Sequence, residues 1–150
     1  MGRYSLDTMS RFIFKSEDRF LETLSRIGGD FKWGYNPQFL KKIMKLDESD
    51  SPAVIIQLEA ICENPLAKKP MRGNRQGQRE VYVLDSYRIY YYYIKKHNYI
   101  YFYEFSHKDK QKIKKRFSSK KAKKLFKNIV NVVGQYAKLD SNGHRFAVNL

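Results

Sequence analysis

The sequence predicts an α+β fold, because helix-like and strand-like patterns of apolar residues occupy different stretches of the chain. Apolar residues recur at helical spacing up to residue 64 and alternate with a period of two over residues 80–105. A third stretch, rich in lysine and carrying a broken apolar stripe, predicts a helical region near the C-terminus. The 150 residues, of which 42% are hydrophobic, are enough for one domain with a substantial core.

Three helices are predicted before residue 65, each with a recognisable start or end. A short strand over residues 10–15 comes first, and Ser16 then provides an N-cap. Proline follows a capping residue in the second and third helices, where the first helical position tolerates it. The starts are Ser16, Asn36-Pro37 and Ser51-Pro52, and the first and third helices end at Gly28-Gly29 and Asn64-Pro65.

The middle of the chain predicts a three-stranded antiparallel meander. Its strands are dense in tyrosine and isoleucine, and short polar turns separate them. A basic loop over residues 66–78 leads into the first strand. The strands cover residues 80–84, 87–94 and 99–105, with turns at residues 85–86 and 95–98. One or two helices over residues 110–139, with a break at Ser118-Ser119, and a short strand over residues 145–150 complete the prediction.

The composition excludes several classes of protein. Cys62 is the only cysteine, so the chain has neither an internal disulfide nor a zinc site built on cysteines. The first 20 residues contain no uninterrupted apolar run of the kind found in a signal peptide. No stretch has the roughly 18 apolar residues needed to cross a bilayer. We therefore expect a soluble protein of the reducing cytoplasm.

The net charge of +15 is concentrated in two segments. Residues 66–79 contain five basic residues and no acidic one, while residues 107–127 contain eleven basic residues and only Asp109 as an acid. Elsewhere the charges balance. A localised positive field suits a polyanion, which in the cytoplasm is most often nucleic acid. A solvated basic face, or one that docks an acidic protein, is the alternative interpretation.

Three basic features are predicted to meet at one end of the meander. The basic loop enters the first strand, Arg88 begins the second, and His107 ends the third. In an antiparallel pair the start of one strand lies beside the end of the next, so Arg88 and His107 should be close; the turn register decides which faces they share. Each residue also has a purely structural interpretation. His107 can be a capped or solvated histidine, and Arg88 can form a salt bridge with Glu80, Asp85 or Glu104.

Arginine, histidine, lysine and exposed tyrosine together fit RNA cleavage by the 2′-hydroxyl group, which requires no metal or other cofactor. Histidine moves a proton near neutral pH, arginine contacts a phosphate through two N–H groups, and aromatic rings stack on bases. The three histidines, His97, His107 and His144, lack the spacing of a metal site. Neither a GxxxxGK[ST] nor a GxGxxG phosphate loop is present. The tyrosines can equally serve as core and sheet surface.

Three segments resemble the RelE/ParE superfamily of toxins from toxin–antitoxin modules. They are the helix end NP at residues 64–65 with the loop over residues 70–78, the turn and strand DSYRI at residues 85–89, and the strand end FSHKD at residues 105–109. The resemblance covers residues 10–109 and leaves residues 110–150 as a C-terminal extension of a single domain. It implies two helices packed on a twisted antiparallel sheet of about four strands. It also implies cleavage of mRNA in the ribosomal A site or, in the ParE branch, inhibition of DNA gyrase.

The resemblance assigns candidate roles to individual residues. Arg88 matches the strand arginine that stabilises phosphate, and His107 matches a histidine used as an acid–base group. Family members carry arginines in the first meander strand, where this chain has Glu80 and Tyr82. Arg79 is the nearest equivalent, offset by one residue, and is the third catalytic candidate. The candidates for contacting RNA are Lys68, Lys69, Arg72, Arg75, Tyr103, Lys108 and Lys110.

The leading prediction is a ribosome-dependent mRNA endonuclease whose partners are mRNA, ribosomal RNA and an acidic antitoxin. Glu80 and Tyr82, which replace the family arginines, motivate a second prediction, a non-catalytic or gyrase-inhibiting toxin. A plain RNA-binding module, in which the C-terminal helix follows phosphates, is the third. No membrane, metal or cofactor is expected.

Overall fold

Helices dominate the first part of the chain and strands the middle in the computed structural model, which describes residues 17–27, 31–72, 75–107, 119–139 and 146–147. In these residues the helices are α1 (Glu17–Ile27), α2 (Pro37–Met44), α3 (Ser51–Glu63) and α4 (Ser119–Leu139). The strands are β1 (Lys32–Tyr35), β2 (Lys69–Pro70), β3 (Arg79–Val83), β4 (Tyr87–Ile94), β5 (Tyr99–His107) and β6 (Phe146–Ala147). Short 3-10 helices cover Glu48–Asp50 and Lys95–His97.

The strands form one mixed sheet in the order β2-β3-β4-β5-β1-β6. Strands β3, β4 and β5 are the antiparallel meander, which confirms the central prediction of an α+β fold. The prediction of an antiparallel sheet of about four strands is wrong, because β1 pairs in parallel with both β5 and β6. A parallel pair needs a long connection, and the chain between β1 and β5 supplies one. The short strand predicted near the C-terminus corresponds to β6.

Strand β1 lies in a stretch for which no strand was predicted. Trp33 and Tyr35 are 1% and 2% exposed and belong to the main core. The basic loop likewise contains an unpredicted strand, β2, which pairs with the start of β3. The strand predicted over residues 10–15, the cap Ser16 and the glycines Gly28-Gly29 lie outside the described residues.

The predicted starts of α2 and α3 have different outcomes. Asn36 caps α2 as predicted, since its side-chain oxygen accepts a hydrogen bond from the Gln38 amide at 3.1 Å, and Pro37 follows at the first position. In α3 the prediction is wrong by one residue, because Asp50 occupies the cap and Ser51 already lies in the helix. The preceding 3-10 turn feeds directly into α3, so Ser51 instead donates a hydrogen bond to the Asp47 carbonyl at 3.5 Å.

The main core lies between helices α1–α3 and one face of the sheet, which we call the inner face. Apolar residues of the three helices pack there on the inward-facing residues of β3, β4 and β5. Examples are Phe39 of α2, whose ring stacks on Phe102 of β5 at 5.5 Å between centroids, and Leu58 of α3, which is fully buried. Removing several such side chains from water drives the fold, at about 1.5–3 kcal/mol each.

Helix α4 packs on part of the opposite face, which we call the outer face. Its Ile129 is buried against Tyr92, Tyr99 and Tyr101, and Phe126 stacks on Tyr92 at 5.7 Å between ring centroids. The C-terminal extension is therefore helical from Ser119, as predicted, while the predicted helical segment before Ser119 lies outside the described residues. The end of the outer face near the turn between β3 and β4 is the part that carries the candidate site.

Candidate functional site

A β-bulge in β5 decides which side chains share a face. Residue Tyr90 pairs with Glu104, whereas the next residue, Tyr91, pairs with Phe102, so Tyr103 has no partner in β4. Strict alternation would have put His107 on the outer face, and the extra residue moves it to the inner face. A bulge of this kind leaves no clear trace in the sequence pattern.

As a consequence, Arg88 and His107 are near in the sheet but do not face the same side. Arg88 pairs with Ser106, and the adjacent pair is Tyr87 with His107. Directly paired residues of an antiparallel sheet point to the same face and successive pairs to opposite faces. The predicted proximity at one sheet end is therefore confirmed, while a shared face for the two side chains is not found.

Arg88 lies half-buried at the end of the outer face. Its guanidinium carbon lies 3.9 Å from the centroid of the Tyr82 ring, and its Nη1 donates a hydrogen bond of 2.8 Å to the Tyr87 carbonyl. Tyr82 is 54% exposed, so one side of this cation–π pair is open to a ligand. Neither contact neutralises the charge of Arg88.

A carboxylate completes this end of the sheet. Glu80 pairs with Tyr90, and the Tyr90 hydroxyl donates a hydrogen bond of 2.9 Å to its carboxylate. Since Tyr82 pairs with Arg88 on the same two strands, these four side chains occupy neighbouring positions on one face. We call Glu80, Tyr82, Arg88 and Tyr90 the Arg88 cluster.

Two predicted RNA-contacting lysines lie beside the Arg88 cluster. Lys69 is exposed in β2 and pairs with Glu80. Lys68 and Lys69 line a cleft of about 320 Å³ together with Glu80 and Tyr82. The prediction that the basic loop brings cations to this end of the sheet is thus confirmed for both lysines. Arg72, further along the loop, is exposed.

Arg75, predicted to contact RNA, is already paired within the protein. Its guanidinium contacts the Glu104 carboxylate at 3.3 Å and lies 3.7 Å above the centroid of the Tyr90 ring. It also donates a hydrogen bond of 3.0 Å to the side-chain oxygen of Gln78. The side-chain amide of Gln78 in turn donates a hydrogen bond of 2.9 Å to the Tyr92 hydroxyl. With both partners of the ion pair mostly buried, Arg75 holds the basic loop on the outer face.

Arg79, predicted as a catalytic residue, is hydrogen-bonded to the backbone of the basic loop. It pairs with Tyr91 on the inner face, four positions along β4 from the Tyr87–His107 pair. Its Nη1 donates hydrogen bonds to the carbonyls of Leu66 at 3.1 Å and Lys68 at 2.7 Å. The odd offset that separates it from Glu80 and Tyr82 places it on the other face, so it does not join Arg88.

His107 lies at the end of β5, on the inner face of the sheet beside Tyr87. The two rings meet edge to face at 5.4 Å between centroids. The Tyr87 hydroxyl donates a hydrogen bond of 3.4 Å to Asp50. Burial raises the pKa of Tyr87 above its ordinary value, and the Asp50 carboxylate adds to the rise, so this phenol stays protonated at neutral pH.

Tyr103, the unpaired bulge residue, lies on the α4 side of the outer face. It meets the Tyr92 ring edge to face at 5.6 Å and lines a groove along α4 with several lysines. Burial raises its pKa, and the Glu104 carboxylate adds to the rise. Tyr103 therefore belongs to a different surface from Arg88. Lys108 and Lys110 lie outside the described residues.

The residues missed by the sequence-based prediction are Glu80, Tyr82 and Tyr90. Glu80 was considered only as a salt-bridge partner of Arg88 or as a replacement for a family arginine, and Tyr82 only as such a replacement. Three residues, Leu84, Asp85 and Ser86, separate β3 from β4, so Val83 pairs with Tyr87 and Tyr82 pairs with Arg88. The predicted two-residue turn at residues 85–86 is therefore wrong: it would have put Tyr82 on the face opposite Arg88, whereas the longer turn puts Glu80 and Tyr82 on the same face as Arg88.

In the described parts of the chain, no three His, Cys, Asp or Glu side chains are placed to hold a metal ion. Within those parts, no helix has both the length and the apolar character to span a bilayer.

Comparison with known proteins does not assign the chain to a family. None of the known protein families has a model that matches it, and no curated protein has a similar sequence.

Proposed function

We propose that the chain is a toxin of the RelE type that binds mRNA at the Arg88 cluster and cleaves it. The observation that carries the proposal is the gathering of Lys69, Glu80, Tyr82 and Arg88 at one accessible end of the outer face. Phosphate-binding cations, an aromatic ring and a carboxylate are the groups that metal-independent RNA cleavage uses. The family resemblance supports the same activity.

Each side chain has a role in this mechanism. Arg88 contacts the scissile phosphate through its N–H groups and stabilises the charge that builds up on the phosphorus oxygens. Tyr82, whose ring is 54% exposed, stacks on a neighbouring base. Lys69 adds positive charge at the edge of the site.

Glu80 is the group placed to accept the proton of the 2′-hydroxyl. The 2′ oxygen then attacks phosphorus, a cyclic phosphate forms, and the bond to the 5′ oxygen breaks. The 5′ oxygen takes a proton from water, which reaches this open face. The Tyr90 hydroxyl fixes the Glu80 carboxylate by its 2.9 Å hydrogen bond. His107 points to the inner face and takes no part in this reaction.

The proposal is tested by inducing the wild type and single variants in a bacterial host and mapping mRNA 5′ ends. We expect new 5′ ends and growth arrest for the wild type, and a loss of about 10²–10³-fold in cleavage rate on purified ribosomes for Arg88→Ala and Glu80→Gln. Lys45→Ala is the matched control: it removes an exposed lysine at the C-terminal end of α2, and the variant should cleave normally.

His107→Ala separates this mechanism from one in which the histidine transfers protons. Cleavage should remain within a few-fold of the wild type. A loss as large as that of Arg88→Ala would contradict the role given to Glu80, and full activity in Glu80→Gln would do so as well.

The separation of Arg79, Arg88 and His107 favours one other candidate, a toxin that binds its target without cutting RNA. In that case expression would arrest growth with intact mRNA. If gyrase were the target, DNA breaks would accumulate instead.

A further inference from the structure

The groove along α4 is a second basic surface, separate from the Arg88 cluster. It has a volume of about 690 Å³, and Lys121, Lys124 and Lys127 line it with Tyr103. Asn128 and Asn131 continue the same wall. Residues 121, 124, 128 and 131 follow each other at intervals of three or four, so they share one side of the helix over about 15 Å.

Helix α4 contributes positive charge to this surface and no negative charge. The sequence has no acidic residue between positions 110 and 139, and Lys120, Lys121, Lys123, Lys124 and Lys127 are all exposed in α4. The opposite side of the helix, with Ala122 and Ile129, is buried against the sheet. Packing against the sheet thus fixes the orientation of the helix, and its lysines form a row that faces the solvent.

We propose that this groove binds the sugar–phosphate backbone of double-helical RNA. Lysines at successive helical turns match a row of phosphates, which sequence-independent binding uses. A single strand would call for exposed aromatic rings, whereas the one aromatic residue in the described groove lining, Tyr103, is half-buried and packs against Tyr92. Charge and lining therefore favour a duplex.

The two asparagines favour RNA over DNA. An asparagine amide both donates and accepts hydrogen bonds, so Asn128 and Asn131 can pair with 2′-hydroxyl groups, which DNA lacks. The inference rests on the proposed function in one respect, since a toxin that acts on ribosomes meets RNA duplexes there. The surface and its ligand are otherwise distinct from the cleavage site.

The test measures fluorescence anisotropy of the full-length protein with a labelled RNA hairpin over a range of salt concentrations. We expect Lys124→Ala/Lys127→Ala to weaken hairpin binding by about 10-fold or more. The slope of the logarithm of the binding constant against the logarithm of the salt concentration should decrease in magnitude by about two. Lys41→Ala/Lys45→Ala removes the same charge from α2 on the other side of the sheet and should stay within about twofold of the wild type.

Two further ligands and one further variant complete the test. The wild type should bind a DNA duplex of the same sequence more weakly than the hairpin, and Asn128→Ala/Asn131→Ala should reduce this preference. Equal loss in both lysine variants, tighter binding of single-stranded RNA than of the hairpin, or equal affinity for RNA and DNA duplexes would overturn the inference.

Arg88→Ala distinguishes this inference from the proposed cleavage activity. That variant should lose cleavage, and adding Lys124→Ala/Lys127→Ala to it should still weaken hairpin binding by the same factor as in the wild type. If the wild type cuts no mRNA but binds the hairpin through Lys124 and Lys127, the proposed function is contradicted and the inference of a duplex-binding groove is supported.

Discussion

Gly77 is the residue at which the basic loop passes beneath helix α4. Its φ of +93° lies in the region that favours glycine, and a Cβ atom built on it would come within 2.8 Å of the Phe126 ring. The ring itself stacks on Tyr92, so it has little room to withdraw. Gly77 thus allows the loop and the helix to approach each other closely.

Gly77→Ala should lower the free energy of unfolding by about 1–3 kcal/mol, because backbone strain and overpacking add. Urea denaturation followed by circular dichroism measures this change. The double variant Gly77→Ala/Phe126→Ala separates the two causes. If the ring contact dominates, the effects of the two substitutions will be clearly non-additive, whereas additive effects would contradict a clash between residue 77 and the ring.

Single residues also set the limit of prediction at the site. The identities of Arg88 and His107, and their position at one sheet end, follow from strand pattern and turn signals. Their separation onto two faces is caused by the bulge at Tyr103, which has no partner in β4. The run of aromatic residues around Tyr103 is equally compatible with a regular strand and with a bulged one. Arg75 looks like its neighbours in sequence, yet Glu104, distant along the chain, neutralises it.

At the scale of elements, the start of α2 was predictable and strand β1 was not. Asn36-Pro37 is a local signal, since the cap bonds within two residues. Strand β1 has four residues, one of them glycine, and its stability comes from pairing with β5 and β6 and from burying Trp33 and Tyr35. Such support is non-local, so no short window of sequence reveals it.

The cap of α2 provides a test at this scale. Asn36→Ala removes the acceptor of the 3.1 Å bond from the Gln38 amide and should destabilise the protein by about 1 kcal/mol. Asn36→Asp keeps an acceptor and should retain most of the stability. Thermal denaturation of both variants measures the difference, and equal losses in the two would show that the cap bond is not the cause.

For the whole molecule, buried ionisable groups predict sensitivity to alkali. Burial raises the pKa of the Cys62 thiol to about 12 from its ordinary 9.0, and neighbouring carboxylates add to the rise. It also raises the pKa values of Tyr91, Tyr92 and Tyr101 well above 10.0. In the unfolded chain these groups ionise at their ordinary values, while the folded chain keeps their protons.

The contribution of these buried groups to the free energy of unfolding is fully present below pH 9 and is lost as the pH rises above that value. Each group lowers the free energy of unfolding by about 1.4 kcal/mol for every pH unit between its unfolded and folded pKa. Urea denaturation at successive pH values, together with tyrosinate absorbance, tests this. Gradual tyrosinate formation in a chain that stays folded would contradict it, since we expect ionisation to accompany cooperative unfolding.

The parallel pairing of β1 with β5 has a consequence for the order in which the protein forms during synthesis. β1 leaves the ribosome early, but its partner follows only after α2, α3 and the first two strands of the meander. Until then Trp33 has no sheet to pack on, and the nascent chain carries an exposed aromatic segment. Because Trp33 is the only tryptophan, its fluorescence reports the docking of β1 on β5 directly. This docking should be among the last events of folding, since it joins distant parts of the chain.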